Sequence, residues 1–169
     1  MKKYLFPLVC FFSIIDSHGQ IPFITVHGSK ANYSITIPED YVPKTIVGSN
    51  VDLKYANEVG ASIVTVVTKA PYGAKESDLQ QLANTPNSQL ISQLESTGLE
   101  NIAIINKGLR QINGVTSYFA YYRSKVLYHH VITQLVNGVI VSLTCTCDYQ
   151  FKDSYLPYIN RVANSLEWK

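Results

Sequence analysis

No serine of this chain sits in a G-x-S-x-G elbow, and no Walker loop, dinucleotide fingerprint or H-E-x-x-H appears. The common hydrolase, nucleotide-binding and zincin signatures are therefore absent. Lysine and arginine nowhere cluster, so nothing marks a nucleic-acid or anionic-membrane patch. There is no repeat, low-complexity tract or linker, which leaves one compact domain. The carboxylates are scattered, and Glu39-Asp40 in "IPEDYVP" reads as a solvated turn. Only three cysteines occur.

The N-terminus is different. Lys2 and Lys3 precede "YLFPLVCFFSII", an apolar stretch of about a dozen residues, and Ser17 and Gly19 occupy small-residue positions. This pattern predicts a secretory signal over residues 1–19, cut before Gln20. As a helix the stretch rises about 18 Å, against roughly 30 Å of hydrocarbon, too short to span. A lipid anchor fits less well, because Cys10 follows Val9 and lies inside the apolar run. Residues 20–169 form the expected single domain, with no transmembrane segment after cleavage and too little net charge to attract nucleic acid. Losing two lysines and Asp16 takes the formal charge from +2 to +1. About 150 residues suffice to bury roughly two-thirds of the unfolded surface.

Alternation marks strands at "NYSITIP", "VDLKYA" and "ASIVTVVT", the last two joined near Gly60. The period then changes. Ser77 with Gln80 resembles a capping box, and Thr85-Pro86 a fresh start, so a broken helix is expected over 77–97 with Gly98 as its C-terminal cap. Strands resume at about 100–109, 115–123, 126–136 and 139–147. Phe151, Tyr155, Tyr158, Ile159, Val162 and Leu166 then share one face of a closing helix. Asp148 stands near its cap and Pro157 inside it, a place for a late start or a kink. The order strands, helix, strands, helix predicts an α+β fold, with a mainly antiparallel sheet covered by two amphipathic helices.

Asn137-Gly138 is a strong hairpin signal, because a type I′ turn needs positive φ at both positions. A two-residue turn there sets Val136 opposite Val139, Ile132 opposite Leu143, His130 opposite Cys145 and Tyr128 opposite Cys147. All of these share the more apolar face, expected beneath a helix. His130, Cys145 and Cys147 are thus candidates for a zinc or copper(I) site or a histidine-activated thiolate. The reading preferred over these is the interior, where cysteine acts as a small hydrophobe. C-x-C on a strand is not a zinc knuckle and no fourth ligand is evident. A Cys145–Cys147 disulfide would distort the strand, since alternate residues stand about 6.6 Å apart with parallel Cβ vectors. His129 faces the other way.

Tyrosine is the remaining feature. Alternation in "SYFAYYRSKVLYHH" sends Tyr118 and Tyr122 to one face and Phe119 and Tyr121 to the other. Aromatics on both faces suggest that one is packed and one partly open. Tyr118 and Tyr122 are the candidate aromatic binding surface, with cross-strand packing as the structural alternative.

"YSITIPEDY", "INGVTSYFAYY", "NGVIVSLTCTC" and "INRVANSLEW" together resemble the PsbP-like superfamily, over most of residues 32–168. Its members include extrinsic photosystem subunits and periplasmic lipoproteins of the DcrB kind. The resemblance implies an antiparallel sheet flanked by helices and a non-enzymatic accessory or binding role. It carries no set of catalytic residues and no cofactor. Unlike the lipoproteins, this chain has no lipobox. The expectation is a secreted or periplasmic non-catalytic binding module with an unknown protein partner or small ligand and neither metal nor cofactor; a thiol- or metal-dependent protein using His130, Cys145 and Cys147 is the alternative. A pocket between sheet and helix is a third expectation.

Overall fold

The structure, a computed structural model, describes residues 21–169; the expected signal segment lies outside the described residues. A seven-stranded antiparallel sheet dominates. It contains β3 (Val42–Pro43), β4 (Val51–Ala56), β5 (Ser62–Lys69), β6 (Ile102–Ile112), β7 (Val115–Ser124), β8 (Leu127–Val136) and β9 (Val139–Asp148). Their spatial order is β3-β4-β5-β9-β8-β7-β6. A smaller sheet of β1 (Phe23–His27), β2 (Tyr33–Pro38) and β10 (Glu167–Trp168) runs in the order β1-β2-β10.

The hairpin chemistry explains the register. Asn137 and Gly138 adopt φ of 49° and 75°, as a type I′ turn requires. Every pairing expected from that turn is present, including His130 with Cys145 and Tyr128 with Cys147. Asn113 and Gly114 repeat the arrangement between β6 and β7, with φ of 50° and 79°. At Gly108, on edge strand β6, a Cβ would stand 3.2 Å from the Phe119 ring, so the glycine makes room for the aromatic across the pair.

The broken helix is real. α1 (Glu76–Asn84) and α2 (Asn87–Glu95) flank a step at Thr85 and Pro86. Its start differs from expectation: Lys75 is the cap residue, and the Asp78 carboxylate accepts its N–H at 3.0 Å, the role assigned to Gln80. A 3₁₀ turn at Tyr149–Phe151, capped by Asp148 accepting from Gln150 N at 2.9 Å, leads into α3 (Lys152–Asn164). α3 continues through Pro157. Phe151, expected on its buried stripe, is 51% exposed, because the 3₁₀ turn rotates it off the helix phase.

Two layers cover the main sheet. On one face α3 and β2 bury Ile63, Val141, Leu143, Cys145, Cys147 and Ile132 against Ile35, Ile37, Ile159 and Val162. On the other, α1 closes Leu79 over Tyr118, Ala120 and Tyr122, with Leu82, Ala83 and Leu94 alongside. Each fully buried Leu or Ile contributes roughly 1.5–3 kcal/mol, so the first face supplies most of the cohesion. Asp52 ties the small sheet to the large one. Its carboxylate accepts from Ser29 N and Oγ, Lys30 N and the Tyr33 hydroxyl, which lies 2.6 Å from Thr65 Oγ1. No helix among the described residues is long and apolar enough to cross a membrane.

Candidate functional site

Cys145 and Cys147 are each 1% exposed and both are free thiols. Burial pushes Cys145 up to about 12, helped by Cys147, and pushes Cys147 up to about 11. A thiol so placed stays protonated at neutral pH, the opposite of what a nucleophile or metal ligand needs. His130, across the strand pair from Cys145, turns its Nε2 to the Arg110 guanidinium at 3.3 Å. Guanidinium only donates, so Nε2 accepts and the ring proton lies on Nδ1, which has no partner among the described residues. Burial first, then the Arg110 charge, hold His130 down at about 3. Arg110 also donates to the Tyr121 hydroxyl at 3.1 Å. Among the described residues no group of three or more His, Cys, Asp or Glu is arranged to hold a metal ion.

The aromatic expectation is reversed between the faces. Tyr118 and Tyr122 are only 4% and 6% exposed, sealed under α1, and present no open surface. Burial pushes the Tyr118 hydroxyl up to about 12, and it has no partner among the described residues. Phe119 and Tyr121, on the α3 side, are the half-buried pair, because α3 reaches β8 and β9 and leaves β7 partly uncovered.

The concave feature lies elsewhere, along the flank of α3. Tyr155 and Tyr158 stand at the edge of the buried helix stripe, half-exposed, and face the β2–β3 turn. Pro38 ends β2, and its carbonyl accepts Tyr41 N at 3.1 Å, which folds Tyr41 back beneath the turn. From the β4–β5 turn, Asn57 Nδ2 donates to the Tyr155 hydroxyl at 3.2 Å, while its Oδ1 accepts Ala61 N at 2.9 Å. These three segments enclose a cleft of about 230 Å³, walled by Tyr41, Tyr155, Tyr158 and Pro38, with Asp40 and Asn57 at its rim. At one end it meets an open mouth of about 550 Å³ lined by Asp40, Glu58, Val59 and Tyr155. At the other a hollow of about 200 Å³ lies beside Tyr158, Phe23 and Arg161. There Phe23 stacks on Tyr158 at 6.2 Å, and Arg161 sits 3.9 Å from the centre of the Phe23 ring.

Tyr41 is the informative wall. It is 7% exposed, yet its hydroxyl makes no hydrogen bond among the described residues. Burial, then the neighbouring Tyr155 and nearby Asp40, raise its ionisation far above the ordinary tyrosine range. An unpaired hydroxyl in a cleft wall can both donate and accept a hydrogen bond. Sequence reading placed Tyr155 and Tyr158 on the core stripe and Asp40 in a solvated turn. Only the packing of α3 against two distant turns makes them neighbours.

The architecture is that of an α+β domain whose antiparallel sheet carries helices on both faces. No family model and no curated protein matches the sequence. Solved structures match its fold instead, which is the PsbP-like fold expected from its motifs. Cyanobacterial PsbP (CyanoP) from Synechocystis sp. PCC 6803 superposes with a TM-score of 0.71 at 14% identity, over 90% of this chain and 96% of that one. LpqN of Mycobacterium tuberculosis, a protein involved in cell envelope biogenesis, gives 0.54 at 10% identity, over 88% and 91%.

Proposed function

We propose that this chain is a secreted or periplasmic, non-catalytic accessory module that holds a small amphipathic ligand in the cleft beside α3. The observation that carries this reading is the tyrosine-walled cleft with the unpartnered Tyr41 hydroxyl. Apolar walls with a few convergent polar groups suit binding and orientation rather than bond-breaking. The signal-like residues 1–19, and the envelope role of LpqN, support a location outside the cytoplasm. The raised thiols and the depressed His130 speak against a redox or metal role for His130, Cys145 and Cys147.

N-phenyl-1-naphthylamine, a neutral apolar dye that fluoresces when desolvated, tests the reading. Saturable binding to the mature protein is expected. Ser154→Trp fills the cleft from its lining and should abolish binding with an unchanged far-UV spectrum. No saturable binding, or binding indifferent to Ser154→Trp, contradicts the proposal. Stoichiometric zinc or copper in the purified protein, lost in Cys145→Ser, would favour the metal alternative instead.

A further inference from the structure

The charges around the cleft are unevenly placed. Asp40 and Glu58 line its wide mouth, and neither makes an ion pair or side-chain hydrogen bond among the described residues. Between them and the interior stands the half-buried ring of Tyr155, which lines both the mouth and the cleft. The positive group, Arg161, lies beyond Tyr158 at the far end, over the face of Phe23. One end is thus acidic and aromatic, the middle apolar, the other end cationic.

We infer that the ligand is an apolar body ending in an ammonium group, seated with that group between Asp40 and Glu58 against the Tyr155 ring. The inference rests on the cleft reading and adds the ligand's charge and direction. Two carboxylates attract a cation, and an aromatic face holds it by its quadrupole, more strongly the less water intervenes. An ammonium also keeps favourable contact with apolar walls, which a compact metal ion does not. Tyr41, whose hydroxyl makes no hydrogen bond among the described residues, lines the adjoining cleft and adds a polar group to its wall. Arg161 opposes a cation entering the other way round and leaves the acidic mouth as its place. A ligand with an anionic end at the mouth would meet two like charges there.

Three probes with the same tail separate the charge from the cleft: hexyltrimethylammonium, hexanol and hexanesulfonate, each competing with bound N-phenyl-1-naphthylamine. The ammonium is expected to displace the dye at about tenfold lower concentration than hexanol, a factor equal to about 1.4 kcal/mol. Hexanesulfonate is expected to be weakest. In the Asp40→Asn/Glu58→Gln double variant, both changes being at exposed residues, the ammonium should fall to the level of hexanol, each read against the dye's own affinity for that variant. Raising the salt concentration should narrow the preference in the native protein. Equal displacement by all three probes, or a preference that survives the double variant, overturns the inference and leaves an uncharged apolar cleft. Failure of the dye itself to bind removes the cleft reading, and the inference with it.

Discussion

Consecutive histidines sample the two faces of the main sheet. His129 lies on the α1 face, stacked on Tyr122 at 4.6 Å, with Ser124 Oγ at 2.7 Å from Nε2 and Thr146 Oγ1 at 3.1 Å from Nδ1. His130 lies on the α3 face, edge-on to Tyr121 at 4.3 Å, and shares one nitrogen with Arg110 while the other has no partner among the described residues. The α1 face is a small patch of tyrosines closed by a short helix. The α3 face is a deep aliphatic core, broken by polar ties: Asp52 with Tyr33, Arg110 with His130, and Gln134 between Ser117 at 2.8 Å and Trp168 at 2.6 Å. The difference teaches that cohesion and polar specification sit together on the α3 side, where the cleft opens at the margin. The α1 side mainly keeps water off the outer strands.

The contrast is broken most strongly by truncating one leucine on each side. Leu143→Ala, at a fully buried position, should cost about 4 kcal/mol, and Leu79→Ala, in the smaller cluster, about 2 kcal/mol. Urea unfolding of both variants measures this; equal losses would put the two layers on a par. Asp52→Ala should cost about 3 kcal/mol, since it strands the Ser29 and Lys30 amides and leaves the Tyr33 hydroxyl only Thr65 Oγ1 as partner. Burial alone would raise the Asp52 pKa, but the Ser29, Tyr33 and Lys30 hydrogen bonds prevail and lower it. Its stabilising effect is therefore present above the unfolded carboxylate range and is lost as pH falls through the folded value.

The histidines act earlier in an acid titration. Burial depresses His129 to about 4 and, with Arg110, His130 to about 3, from an ordinary 6.5. Below pH 6.5 the unfolded chain takes up protons that the folded one refuses, so stability falls with pH until each folded value is reached. The limiting slope is about 1.4 kcal/mol per pH unit for each histidine. Urea midpoints at pH 7 and pH 5 should converge in His129→Gln and in His130→Gln relative to the native protein. A parallel pH dependence in both variants would mean that neither ring is held neutral. The smallest effect concerns the thiols: a thiol reagent should label Cys145 and Cys147 slowly in the native state and rapidly in denaturant. Fast native labelling would contradict their burial.

Local chemistry made much of this fold readable. One Asn-Gly pair determines the register of β8 and β9, and with it the inward placement of both thiols. The change from period two to helical spacing marks α1 and α2, and Pro86 marks their break. The small sheet is not local in this sense. β10 is two residues long and pairs with β2 from the far end of the chain, so no window of sequence contains the pair. Alternation separated Tyr118 and Tyr122 from Phe119 and Tyr121 correctly. It could not say which pair is sealed, because that depends on where α1 docks. The cleft was illegible for the same reason: Tyr41, Asn57 and Tyr155 come from three distant segments, and none carries a motif.

The central claim is that the working surface is the tyrosine cleft and not the thiol–histidine trio. Backbone and aromatic NMR shifts, followed as N-phenyl-1-naphthylamine is titrated in, test it most directly. The largest changes are expected at Tyr41, Asn57, Tyr155 and Tyr158, with Phe119 and Tyr121 unmoved. Changes centred on Phe119 and Tyr121, or none at all, would contradict the account.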